Sequence, residues 1–319
     1  MKRGKILVIR GGAIGDFILT LPVLAALRQR FPEAHLEVLG YAHIAQLALA
    51  GGLADEVRPI EARALAGFFA RGGTLDESWQ SYFGSFAVIL SYLYDPDEIF
   101  CENVALCSSA QFIACPHRPD EDLGRHATEV LLQPLERLAI FDADATPRLS
   151  LIAPTLASAV PGRWLALHPG SGSERKNWPE PQWAALISRL LAETGLKLLL
   201  VGGEAEGGRL DRLRQGSDPS RLAIARSLPL AELGTRLTGC LAFVGHDSGV
   251  SHLAAAVGLP CLLLWGPTQP AVWQPRSERV RVVRHSQGLN ALPVEAVLKQ
   301  LRCLVPTAGD SRSVFPESI

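Results

Sequence analysis

Short apolar runs alternate with longer segments whose apolar residues recur at helical spacing, and the alternation continues along most of the chain. The strand-like runs, such as Ile6-Leu7-Val8-Ile9 and Leu198-Leu199-Leu200-Val201, are apolar throughout instead of alternating with polar residues. That pattern fits strands buried on both faces. A strand that feeds a helix and then another strand makes a parallel sheet, with the helices covering it. The chain is therefore expected to be α/β.

In the first half the strands are placed at Lys5 to Arg10, Leu36 to Leu39, Phe86 to Leu90 and Gln111 to Ala114. Helices are placed at Asp16 to Arg30, Ala42 to Leu49 and Arg125 to Ala139. Between Arg58 and Ser85, with Gly72-Gly73 and Phe68-Phe69, the periodicity weakens, so this segment is expected to be a loop-rich insertion. The alternation restarts with strands at Trp164 to His168, Lys197 to Val201, Leu222 to Ala225, Leu241 to Val244 and Cys261 to Trp265. Helices fall at Pro181 to Glu193, Gly207 to Arg214 and Leu230 to Thr238, with an Ala-rich one after Gly249. At 319 residues the chain is long for one core. Scattered Pro, Ala and Ser make Pro147 to Pro161 the expected linker, dividing it into domains 1–153 and 154–319. The tail after Pro306 is expected to be loosely held.

A formal net charge of −1 gives no global attraction to nucleic acid or anionic lipid. The apolar run near the start is too short for a signal-peptide core and the later ones are too short to span a bilayer, so a cytoplasmic location is expected. The six cysteines form no C-x-x-C pair, and the spacing of Cys101, Cys107, Cys115 and His117 matches no common zinc pattern. They are read as reduced, mostly buried thiols, and no metal ligand set is assigned.

In open parallel sheets ligands bind beyond the carboxyl ends of the strands, so the loops there carry the functional signal. The sharpest is Gly245-His246-Asp247-Ser248-Gly249-Val250-Ser251-His252, where a strand hands over to a helix. Helix-opening N–H groups lack intrahelical acceptors, and the dipole adds positive charge, which suits an anion. The same residues also read as an Asp or Ser cap on an ordinary buried helix. A second loop, His168 to Pro179, holds Ser171, Gly172 and Lys176, and lysine occurs at only four other positions, 2, 5, 197 and 299. A third, Gly202-Gly203-Glu204-Ala205-Glu206, offers an acid for ribose hydroxyls or for the first turn of a helix. Together these loops describe a nucleotide diphosphate site. Near the start, Arg10-Gly11-Gly12-Ala13-Ile14-Gly15-Asp16 approaches a dinucleotide fingerprint, with Glu37 about where a ribose acid would lie. Arg10 occupies the first glycine position, which disfavours a nicotinamide enzyme. Asp16 reads either as an N-cap or as a general base.

Several motifs in order resemble those of glycosyltransferase family 9, the bacterial ADP-heptose:lipopolysaccharide heptosyltransferases. They are Gly15-Asp16 with Thr20-Leu21-Pro22, Pro169-Gly170-Ser171 with Lys176 and Trp178-Pro179, Gly202-Gly203 with Glu206, Asp247 to His252, and Gly266-Pro267-Thr268. The resemblance spans roughly residues 4 to 300 and implies a GT-B fold: two Rossmann-like parallel-sheet domains facing a central cleft, with the acceptor on the N-terminal one and the donor on the C-terminal one. It implies Asp16 as catalytic base and Lys176 as the phosphate-contacting lysine. Gly15, Ser171, Gly172, Glu206, Leu228 and Asp247, Ser248, Gly249, Val250, Ser251 and His252 would then hold the donor, with Leu228 against the base. The chain departs from the family's first loop, carrying Ala13 and Ile14 where Ser is frequent and Leu19 in place of a His. Segment 58–85 gives no acceptor-binding match.

The implied reaction is inverting transfer from a nucleotide sugar, expected to be ADP-heptose, to a lipid-anchored glycan of the lipopolysaccharide core, without an obligatory metal or a cofactor. Asp16 would take the acceptor's proton. Lys176 and the Ser248 to Ser251 amides would stabilise the leaving diphosphate. The partners expected are the nucleotide sugar and the glycan, with no nucleic acid and at most peripheral membrane contact. Two other functions fit the same fold: an enzyme acting on a UDP- or GDP-sugar, and a non-catalytic nucleotide-binding protein.

Overall fold

The computed structural model describes residues 4–151 and 163–305. The chain forms two compact units, Met1–Ser150 and Leu151–Ile319, dividing a few residues before the expected 153/154 boundary. Most of the expected linker, and the tail after Pro306, lie outside the described residues.

In unit 1, β1 (Lys5–Arg10) leads through α1 (Ile14–Arg30) to β2 (His35–Gly40), then through α2 (Ala42–Ala50) to β3 (Glu56–Pro59). After α3 (Glu77–Phe83) come β4 (Val88–Ser91), α4 (Ile99–Ala105), β5 (Gln111–Ala114) and α5 (Ala127–Leu132). The strands lie in the order β3-β2-β1-β4-β5 and every neighbouring pair is parallel. Chain order reverses between β1 and β4, so the switch point at which such sheets bind ligands lies beside the loop after β1.

Two expectations fail in this unit. Segment 58–85 is part of the core and not a loop-rich insertion: Leu65, Phe68, Trp79, Tyr82 and Phe83 bury against Leu7, Ile9, Leu39 and Ile89. Its weak periodicity has a physical reason, since a 3-10 turn over Arg63–Phe69 and a two-turn α3 are too short to display a helical stripe. The helix expected from Arg125 to Ala139 also breaks. It is α for Ala127–Leu132 and 3-10 for Gln133–Leu138, because Pro134 has no N–H to donate to the preceding turn.

Unit 2 runs β6 (Trp164–Leu167), α6 (Glu180–Glu193), β7 (Lys197–Gly202), α7 (Arg209–Arg214), β8 (Leu222–Arg226), α8 (Leu230–Thr238) and β9 (Ala242–His246). It continues with α9 (Gly249–Ala256), β10 (Cys261–Leu264), α10 (Pro270–Trp273), β11 (Val280–Val283) and α11 (Val294–Leu304). The all-parallel order is β11-β10-β9-β6-β7-β8. Edge strand β11 and helix α11 were not read from the sequence. Helix α6 buries Trp183, Leu186, Ile187 and Leu190, one helical face, against β6 and β7 residues such as Leu165 and Leu198. Among the described residues, no helix is long and apolar enough to cross a membrane. All six cysteines are free, but only Cys115 and Cys261 are buried and Cys303 is exposed, so the expectation of mostly buried thiols was too strong.

Candidate active site

The switch point of unit 2 lies between β6 and β9, and the loops leaving these two strands carry most of the residues singled out in the sequence. Lys176, at the end of a 3-10 turn over Glu174–Lys176, donates from Nζ to Asp247 Oδ2 at 2.6 Å. Thr268 Oγ1, in the loop after β10, donates to the same oxygen at 2.7 Å. A Cβ on Gly266 would lie 3.5 Å from the Lys176 Cα, so the loop after β10 also abuts the lysine. Asp247 is 9% exposed and its carboxylate is occupied by these two donors. A carboxylate repels phosphate, so Asp247 fixes the lysine, and the partly exposed ammonium keeps donors for a ligand.

Helix α9 follows at once. Ser248 is its N-cap, and Ser248 Oγ accepts from the Ser251 N–H at 3.3 Å. The Gly249 and Val250 N–H groups sit in the first turn, where no intrahelical acceptor exists. Ser251 and His252 are buried, and the Ser251 hydroxyl donates to the His246 carbonyl. The open part of the turn is therefore Ser248 to Val250, narrower than the Asp247 to His252 stretch expected to wrap the donor. Residues on the inner face of a helix this close to a sheet are turned into the core.

Glu206 follows β7 and is buried. Its carboxylate accepts from the Gly203 N–H and lies 3.5 Å from His168 Nε2. Burial would raise its pKa, but the hydrogen bonds from His168 and the Gly203 N–H prevail and hold it at about 2. His168 Nδ1 lies 3.2 Å from Ser248 Oγ, linking this acid to the cap of α9. A Cβ on Gly170 would come within 2.0 Å of Glu206 Oε1, so Gly170 leaves room for the acid. The Ser171 hydroxyl donates to the Ser173 carbonyl at 2.8 Å, Gly172 is exposed, and Leu228 is half-buried in the loop between β8 and α8.

Gly15 and Asp16 belong to unit 1. Asp16 is not the N-cap of α1 but its third residue, and Oδ2 accepts from the Ala13 N–H at 2.9 Å. This is half of a capping box, because the Ala13 side chain has nothing to return. Gly12 has a φ of +98°, and a Cβ there would lie 2.8 Å from Asp16 Oδ2. Arg10, read in the sequence only as a misfit, is 4% exposed and central. Its guanidinium donates to the carbonyls of His117 at 2.9 Å, Asp16 at 3.3 Å and Tyr92 at 3.4 Å, and lies 3.9 Å from Asp16 Oδ1. It thus gathers the loops after β1, β4 and β5 around Asp16. Glu37 is not a ribose acid at a strand end: it is fully buried within β2, with Arg58 Nε 3.0 Å from its Oε1.

Among the described residues, one group has metal-ligand geometry: His35, Glu37 and Glu56, with donor atoms within 4.8 Å of one another. Arg58 and Lys5 already balance its two carboxylates. Asp-x-Asp triads, the usual metal signature of nucleotide-sugar enzymes, stand at Asp95 to Asp97, Asp120 to Asp122 and Asp142 to Asp144. The leading acid of two of these triads and the last of the third are spent on local turns. Asp95 accepts from the Phe100 and Cys101 N–H groups, Asp120 from the Asp122 N–H, and Asp144 from the Thr146 N–H and Arg148. Arg10, His168 and Thr268 stand in loops that the sequence singled out, but it gave them no such role, because each acts through a partner elsewhere in the chain.

The family model for glycosyltransferase family 9 (heptosyltransferase) matches residues 131–300, just over half of the chain. The lipopolysaccharide heptosyltransferase 3 of Escherichia coli is 24% identical over 350 aligned residues, which cover 94% of this chain and 99% of that protein. The lipopolysaccharide heptosyltransferase 1 of Pseudomonas aeruginosa is 38% identical over 116 residues, covering 36% of this chain and only 32% of that protein. Structures of the E. coli heptosyltransferase WaaC, with ADP and with ADP-2-deoxy-2-fluoro heptose, share the fold at TM-scores of 0.72 and 0.69 and 20% identity. They cover 94% and 93% of this chain, and 99% and 98% of theirs. With two all-parallel α/β units and this family match, the chain belongs to glycosyltransferase family 9 and is a glycosyltransferase.

Proposed function

We propose that this enzyme transfers a heptose from ADP-heptose to an acceptor of the lipopolysaccharide core, with inversion at the anomeric carbon and without an obligatory metal. The observation that carries the reading is the Lys176–Asp247–Thr268 cluster beside the open N-terminus of α9, at the switch point of unit 2. A lysine held by a carboxylate next to unpartnered helix amides suits a diphosphate, and the relatives named for heptosyl transfer supply the sugar and the base. In this reading residues 154–319 bind the donor and residues 1–153 bind the acceptor, which reaches the enzyme at the inner face of the cytoplasmic membrane.

Asp16 takes the proton of an acceptor hydroxyl as its oxygen bonds to the anomeric carbon, and the bond from that carbon to the diphosphate oxygen breaks. The electron pair leaves with ADP, whose growing charge is met by Lys176 and by the Gly249 and Val250 amides. Arg10 fixes the loop that carries the base.

Replacement Asp16→Asn tests the assignment by keeping the Asp16 hydrogen-bonding shape and removing its basicity. Turnover is expected to fall by about 10² or more, while ADP affinity measured by calorimetry stays unchanged. Near-wild-type turnover sinks the assignment of the base. Tighter binding of UDP or GDP than of ADP sinks the assignment of the donor.

A further inference from the structure

The mechanism leaves unused one fully buried polar ring. His246, the last residue of β9, is 0% exposed and is held between the two ends of the loop after β6. Its Nε2 accepts from the Trp178 N–H at 2.8 Å, and its Nδ1 lies 3.1 Å from the Gly170 carbonyl. A backbone N–H can only donate, so Nε2 carries no proton; Nδ1 carries it and donates to Gly170. The tautomer is fixed by the fold. The Trp183 ring stands edge-on to the imidazole at 5.4 Å, and Trp178 in turn meets Trp183 at 5.4 Å. Between the two pinned residues lie Ser171, Gly172 and Lys176, and the residue after His246 is Asp247, which grips Lys176.

We infer that His246 is a positioning residue for the donor site: one rigid ring at the end of β9 clamps both ends of the loop after β6 and so sets Lys176 and the Ser171-Gly172 turn against the N-terminus of α9. The inference rests on the reading of Lys176 as the phosphate-contacting lysine. Imidazole suits the task because it offers one donor and one acceptor on opposite sides of a planar frame with no rotatable bond between them. Burial, only partly opposed by the hydrogen bond to Gly170, holds the His246 pKa at about 3, so the ring stays neutral at working pH.

The two arms can be cut separately. Asparagine places its amide near Nδ1 and keeps the bond to Gly170, leaving the Trp178 N–H, two residues from Lys176, without its acceptor. Glutamine reaches the Nε2 position and keeps Trp178 while releasing Gly170. His246→Asn is expected to lower kcat about tenfold or more, as a misplaced catalytic group does, and to add little to the loss in Lys176→Ala when the two are combined. His246→Gln is expected to raise the donor KM several-fold with kcat nearly kept, and to combine multiplicatively with Lys176→Ala. A merely structural histidine predicts something else: a lower Tm in both variants, turnover reduced only in proportion to the folded fraction, unchanged KM, and multiplicative combination with Lys176→Ala in each case. That outcome, or wild-type kinetics in the variants, overturns the inference. Either variant that folds decides the matter by its split between kcat and KM. If Lys176→Ala itself keeps wild-type turnover and ADP affinity, the reading of the site falls first and this inference with it.

Discussion

At the residue scale, the site is built from side chains whose work depends on remote partners. Lys176 and Asp247 are 71 positions apart, and Arg10 reaches across to His117. His246 gives a pH signature. The unfolded chain protonates this ring near its ordinary value of 6.5, the folded chain only near about 3. Between those values the unfolded state binds more protons, so the contribution is lost progressively as pH falls from 6.5 towards 3 and stability rises with pH across that window. Calorimetric Tm measured from pH 7 to pH 4 should therefore fall less steeply in His246→Gln than in the wild type. Asp16 and Lys176 could be proposed from sequence because their loops follow recognisable strands and carry the family's motifs. Arg10 and His246 could not, because nothing local marks a side chain that binds a backbone carbonyl or N–H so far along the chain.

Among the elements, most strands, including four-residue ones such as β5 and β10, stand close to where they were expected, whereas segment 58–85, the helix expected at Arg125 to Ala139 and helix α11 do not. Helix α1 and strands β1 and β7 show their periodicity plainly. The 3-10 turn over Arg63–Phe69 and helix α3 do not, although they form a dense aromatic contact. Phe83 packs within 4.9 Å of Phe68 and 5.8 Å of Phe100, ring centroid to centroid. Because Phe83 is fully buried, Phe83→Ala is expected to destabilise unit 1 by about 3–5 kcal/mol in urea unfolding. A cost below about 1 kcal/mol, the scale of a surface change, would restore the reading of this segment as an insertion.

On the scale of the whole molecule, each unit has its own parallel sheet and its own core, and the proposed donor-site residues other than Gly15 come from unit 2. Ligand that binds only the folded form stabilises by mass action. ADP at a hundredfold excess over its Kd is expected to add about 2.7 kcal/mol to the transition of unit 2. Hydrogen exchange should show its protection in the loops after β6 and β9. Protection confined to unit 1 would contradict the proposed division of labour.

The sequence by itself determined the alternation of strands and helices, hence two parallel sheets, and the loops at strand ends where a diphosphate would sit. These follow from local periodicity and turn chemistry, which neighbouring residues carry among themselves. Only the tertiary structure decided that Asp247 grips Lys176, that Ser251 and His252 face inward, that segment 58–85 is core, and that Arg10 and His246 tie distant loops together. Strand order and burial set those facts, and both arise from contacts between residues far apart in the chain.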